Sequence, residues 1–246
     1  MNVDFLFTES QPFESYSAFH WWPLIIVSTI GCILIYYAKR FYSEVQQWRL
    51  LYYLSIIPAF TAIMGLIMPC IEGDFNIQED LPLHICRFVA LAAPIAILKQ
   101  NRFWMGIFYF WILAGTLNAN ITPDVEYNFP HWTYFSYWLE HSFLVILPIY
   151  YVLVLKIRIQ VQDLKNAFWM ANAFLVMTLL VNWMIGSNYM YSRHKPPVAS
   201  LLDILGPWPI YLISGQLLAG VLFFIVYLPF FFRKIPHGTD QSSSTQ

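Results

Sequence analysis

The segment Leu81-Pro82-Leu83-His84-Ile85-Cys86-Arg87 sets an imidazole, a thiol and a guanidinium within four consecutive residues, and Glu140-His141 sets a carboxylate beside a second imidazole. A thiol next to a base is the chemistry these types allow, because the thiolate is the nucleophile and a neighbouring base or cation favours it. At a helical rise of about 1.5 Å per residue, Cys86 lies about 7 Å and His141 about 10–12 Å below the same membrane surface. They are within reach of one another if their helices touch. His84 and Arg87 share a helical face, whereas His84 and Cys86 point in different directions on a regular helix. A partner for Cys86 is therefore expected from another helix. Tyr134, Tyr137, His141, Leu144 and Pro148 recur as one stripe, with Glu140 about 100° away and turned toward a neighbour such as Arg87.

Plainer uses compete with this chemistry. A lone buried cysteine usually behaves as a small hydrophobe, which is the reading for Cys32 and Cys70. His141 is also able to hydrogen-bond across helices, and Arg87 with Glu140 is expected as a structural ion pair. A Cys70–Cys86 disulfide would remove the thiol altogether. Neither a metal nor any other cofactor is expected. No HxxxH or HExxH spacing exists, and the intramembrane histidines sit at unequal depth. His20, His194 and His237 are assigned to an interface, a loop and the tail.

The elements that must position these groups follow from composition. Of the 246 residues, 59% are hydrophobic and 11% charged, against about 25% charged in an average soluble domain. The net charge of −1 leaves no basic footprint for nucleic acid. Seven apolar runs, near 22–38, 50–69, 82–98, 103–119, 134–155, 167–187 and 208–232, approach the length of a membrane span. The expected fold class is all-α, a polytopic bundle of seven transmembrane helices. Residues 1–236 form one domain and 237–246 a disordered polar tail. Asp4, Glu9 and Glu14 precede the first run without any Lys or Arg, so that run is read as a retained helix.

Lys39, Arg40, Arg49, Lys99, Arg102, Lys156, Arg158, Lys165, Arg233 and Lys234 fall on one side, and only Arg193 and Lys195 in the loops opposite. The positive-inside rule puts the amino terminus outside and the carboxy terminus in the cytoplasm. Pro58, Pro94 and Pro148 bend their spans. No internal repeat supports a two-halved carrier.

Leu-Pro-Leu-His-Ile-Cys at 81–86 resembles the Pro-Leu-His-Leu-Cys signature of YwaF-type bacterial integral membrane proteins, a family related to eukaryotic transmembrane protein 164. Asn118-Ala119-Asn120-Ile121-Thr122-Pro123-Asp124 and Glu140-His141 are similar to its later segments, in order and spacing. Arg87 departs from the acidic or small residue that follows the Cys in many members. The resemblance implies a phospholipid acyltransferase or acyl hydrolase with Cys86 as nucleophile and His141 as its base. Asn118 or Asn182 would donate to the oxyanion. Arg87 would favour the thiolate or hold a phosphate, His84 would orient the site, and Glu140 would support it. The implied partners are membrane lipids, with an acyl-chain donor and a lysolipid acceptor, in a bacterial plasma (inner) membrane. The alternative is a non-enzymatic sensor that binds a lipid or small ligand in the same pocket.

Overall fold

The computed structural model describes residues 11–196 and 200–232. The polar tail and the charged residues Asp4, Glu9, Arg233 and Lys234 lie outside them. Among the described residues the chain is helical, with one isolated antiparallel bridge between Pro12 and Tyr127. In chain order the helices are α1 (Ala18–Phe41), α2 (Glu44–Glu72), α3 (Ile85–Leu98), α4 (Arg102–Trp111), α5 (Leu117–Ile121), α6 (Trp132–Leu153), α7 (Val161–Ile185) and α8 (Ile210–Phe231). A π turn, Ile112–Thr116, joins α4 to α5 within the fourth apolar run. Every apolar run thus carries a helix. Four of them, α1, α2, α7 and α8, are long and apolar enough to cross a membrane.

Caps rather than apolarity set several ends. Ser43 and Gln46 form a capping box that starts α2 ahead of its apolar run. Asp163 accepts the Gln160 N–H at 2.7 Å and starts α7 six residues before the run at 167. The third helix is shorter than its run, because Pro82 belongs to a preceding turn closed by Leu83 N–H to Leu81 O at 2.8 Å. His84 is the N-cap residue of α3, with extended backbone, so Cys86 occupies the second helical position.

The core lies between α2, α3, α4 and α6. Ala59 and Ala62 of α2 and Ala90, Ala93 and Ala96 of α3 are buried, and such small residues let helix backbones approach closely. The outward faces are apolar: Ile25, Ile30 and Ile33 on α1, Trp183 and Met184 on α7, Ile213 and Leu217 on α8 are exposed. Such a continuous apolar exterior suits a lipid surround and would aggregate in water. The chain is an integral membrane protein.

Pro23 lies within α1 and has no N–H for the Phe19 carbonyl. The Tyr134 hydroxyl of α6 donates to that carbonyl at 2.6 Å instead. Arg102, at the start of α4, binds both carboxylate oxygens of Asp163, with Nη2–Oδ2 at 2.6 Å and Nη1–Oδ1 at 3.2 Å. This pair ties together two loops whose basic residues the charge pattern assigns to one side. Gly106 makes room for it, since a Cβ there would stand 2.7 Å from Arg102 Nη1 and closer still to the Asp163 carboxylate. Gly106→Ala therefore forces the pair apart and lowers stability by about 1–3 kcal/mol. A thermal unfolding midpoint in detergent equal to that of the unsubstituted protein would contradict this packing.

Candidate functional site

A cavity of about 770 Å³ is bounded by the start of α3, the π turn, α5, α6, α7 and α8. His84, Cys86, Arg87, Asn118, Glu140 and His141 give it polar lining, and Trp111, Leu175, Leu212, Leu218, Leu222 and Phe223 apolar lining. Glu79, Asp124 and Glu126 add acidic side chains to the lining. Six of the seven residues expected at the site thus share one cavity.

Local structure explains the convergence. Because His84 precedes the regular helix, it and Cys86 face the same space, which a helix beginning at Pro82 would have prevented. Its ring packs against Tyr189 and Tyr191, with centroids 5.6 and 5.3 Å away. The first-turn N–H groups of α3 have no intrahelical acceptor, and the positive end of the helix dipole lies beside the sulfur. Cys86 Sγ is 3.4 Å from Thr116 Oγ1, and either atom is able to donate. No hydrogen bond joins Cys86 to His141. All three cysteines, Cys32, Cys70 and Cys86, are free, so the Cys70–Cys86 disulfide does not form.

His141 Nδ1 lies 3.0 Å from the Tyr137 carbonyl, an acceptor, so that nitrogen carries the proton and Nε2 keeps its lone pair. The ring stacks on Tyr137 at 4.1 Å between centroids. Tyr137 is itself held, its hydroxyl donating to Ala119 O at 2.7 Å. Arg87 and Glu140 form no ion pair; the expected bridge is replaced by Arg87 Nη1 donating to Asp80 O at 3.4 Å. The Arg87 guanidinium rests against Gly65 of α2, where a Cβ would stand 3.1 Å from Nη2.

Asn118 donates one amide N–H to Ala114 O at 2.5 Å and keeps the other. The structure puts Asn182 elsewhere. It is fully buried at the end of α7 and donates to Tyr189 O at 2.8 Å and Ser192 Oγ at 2.7 Å, which uses both amide hydrogens. Asn182 therefore organises the loop that carries Tyr189 and Tyr191. The Tyr191 hydroxyl donates to Asp124 Oδ2 at 2.8 Å. Burial, followed by the Asp124 charge, pushes the Tyr191 phenol up, so it remains a donor.

Two contributors escape sequence reasoning. Thr116 is fully buried and meets Cys86 only because of the π turn, which no spacing rule signals. Asn120 appears in the segment of family resemblance, but its partners are tertiary. Its amide donates to Thr116 O at 3.4 Å and His141 O at 3.2 Å, and its Oδ1 accepts from Ser142 Oγ at 3.1 Å. Its own carbonyl accepts from His20 Nε2 at 3.0 Å. His20 is fully buried, and its Nδ1 accepts the Tyr16 N–H, so it is a structural histidine packed within the fold.

Losing the Asn120 amide leaves two buried carbonyls and a hydroxyl without this partner. Asn120→Ala is expected to cost about 2–3 kcal/mol, and Asn118→Ala, which removes one local bond, about 1 kcal/mol. Unfolding midpoints in detergent measure the difference, and equal shifts would show that Asn120 is not the tie.

The model of the TMEM164 family matches residues 15–227. No curated protein and no solved structure matches the chain. With most of its length matched, the chain belongs to the TMEM164 family.

Proposed function

We propose that this member of the TMEM164 family is a thiol-dependent phospholipid acyltransferase or acyl hydrolase. The observation that carries the reading is one cavity lined both by Cys86 and His141 and by a large set of apolar side chains. A lipid ester has this two-part character, a polar head next to a long chain. The Cys86 thiol gives its proton to His141 Nε2, and the sulfur attacks the ester carbonyl carbon. The C–O bond breaks, the lysolipid oxygen takes the proton from His141, and the acyl group stays on Cys86 as a thioester. A lysophospholipid hydroxyl or water then takes the acyl group and frees the thiol. The remaining Asn118 N–H and the first turn of α3 are the donors available to the oxyanion. Arg87 suits a lipid phosphate. No cofactor enters these steps.

The second reading is a lipid-binding or sensor protein using the same cavity. The bond from Cys86 to Thr116, with none to His141, favours it. Catalytic hydrogen bonds often tighten only with substrate bound, and the enzyme reading expects the Cys86–His141 bond to form at that stage.

Lipid profiling of cells expressing the wild type, Cys86→Ala and His141→Ala at matched protein levels separates them. The enzyme reading expects Cys86→Ala to abolish acyl remodelling and His141→Ala to slow it by about 10²–10⁴-fold. Identical acyl-chain distributions in all three, with Cys86 inert to thiol probes, would favour the binding reading.

The same proposal includes seven spans, an outer amino terminus, a cytoplasmic carboxy terminus and a bacterial plasma membrane of the YwaF-type branch. Its support is the basic side formed by the α1–α2, α3–α4 and α6–α7 connections and the Arg102–Asp163 pair between two of them. Cys70, exposed at the far end of α2, should react with a membrane-impermeant maleimide in intact cells when Cys32 and Cys86 are replaced by alanine. With Cys70 replaced by alanine as well, Lys99→Cys should react only after permeabilisation. The reverse pattern would invert the topology.

A further inference from the structure

We propose that Glu140 is a further catalytic residue, the group that takes the proton of the acceptor hydroxyl when the acyl group leaves Cys86. The inference rests on the thiol acyl-transfer reading and deepens it. Glu140 is 5% exposed and lines the cavity, yet among the described residues no hydrogen bond or ion pair reaches its carboxylate. Burying a carboxylate without a partner is costly. The nearby donors do not bond it. Arg87 lies within electrostatic reach but donates to Asp80 O and rests against Gly65. Thr61, which lines the same cavity, donates its hydroxyl to Pro58 O at 2.9 Å. The carboxylate is therefore left for a hydrogen-bond donor that enters the cavity.

The chemistry needs such a donor in its second half. His141 and Glu140 are consecutive on α6 and project about 100° apart. Both line the cavity that Cys86 lines, so the two groups address that space from different angles. His141 serves the departing lysolipid. Glu140, which lines the same cavity, serves the incoming hydroxyl, that of a lysophospholipid or of water. In the balanced step the hydroxyl proton passes to Glu140, its oxygen bonds to the thioester carbonyl carbon, and the C–S bond breaks with its electron pair on sulfur. The proton on Glu140 then returns to the Cys86 thiolate, which restores the resting state.

The test separates the two halves in detergent micelles, with phosphatidylethanolamine and phosphatidylglycerol that carry an alkyne-tagged acyl chain. Tagged protein reports the thioester, and the disappearance of tag on adding lysophospholipid reports discharge. Glu140→Gln is expected to accumulate the thioester and discharge it at least about 100-fold more slowly than wild type. Hydroxylamine, which attacks thioesters without a base, should discharge both proteins at similar rates. Glu140→Asp should recover part of the lysophospholipid rate. Wild-type discharge by Glu140→Gln overturns this proposal alone. So does loss of thioester formation in Glu140→Gln with a wild-type unfolding midpoint. Absence of any thioester on the wild type rejects it together with the reading on which it rests.

Discussion

The cavity depends on one buried amide. Asn120 holds the Thr116 carbonyl at the end of the π turn, the His141 carbonyl on α6 and the Ser142 hydroxyl, while its own carbonyl receives His20 from α1. In a membrane interior each of these backbone groups would be costly to leave unmet, since no bulk water replaces a lost partner. The amide therefore couples three helices beside the cavity that His141 lines. It fixes the wide turn that brings Thr116 to Cys86 and the stretch of α6 that carries Glu140 and His141. Shifting it would move the sulfur's partner and the imidazole together.

Around this tie the bundle is fastened by tyrosines rather than by charges. Tyr134, Tyr137, Tyr150 and Tyr151 of α6 donate to Phe19 O, Ala119 O, Gln47 O and Met105 O, and Tyr109 of α4 donates to Val226 O of α8. A tyrosine supplies a large apolar body and one donor, so it cross-links helices without burying an ion. Arg102–Asp163 is the ion pair among the described residues, and it sits at a helix end with Arg102 partly exposed. Charge inside the bundle is left to the cavity, where Arg87 and Glu140 stand.

The helices were legible in the sequence because lipid demands long apolar runs, and each run carries a helix. Their ends were less so. Ser43 and Asp163 begin α2 and α7 ahead of the apolar residues, and Pro82, inside the third apolar run, precedes a helix that starts at Ile85. Cys86, His84, Arg87, Asn118, Glu140 and His141 were legible because ionisable and amide groups in apolar runs are scarce and costly. Their partners were not. The Thr116 contact follows from a π turn, and Arg87 turns to Asp80 and Gly65 instead of Glu140. The family resemblance offers Asn182 as an oxyanion donor. Only the fold of the loop after α7 reveals that its hydrogens are spent.

Several costs coincide in this one region. Met190 and Tyr191, which belong to the cavity wall, hold left-handed backbone at φ 61° and 50° without being glycine, a conformation that costs about 1–3 kcal/mol per residue. The space of about 770 Å³ forgoes the dispersion contacts that a filled core would make. Glu140 keeps a carboxylate in that space with no protein partner among the described residues. Packing alone would favour a larger residue at Gly115, around whose Cβ position nothing lies within 4 Å, and an apolar side chain at Glu140. These features weaken the bundle separately, and a structural core offers no reason to combine them. The lipid-ester site proposed above would use all of them at once: volume for an acyl chain, a wall of fixed backbone, and polar groups aimed at an incoming ester.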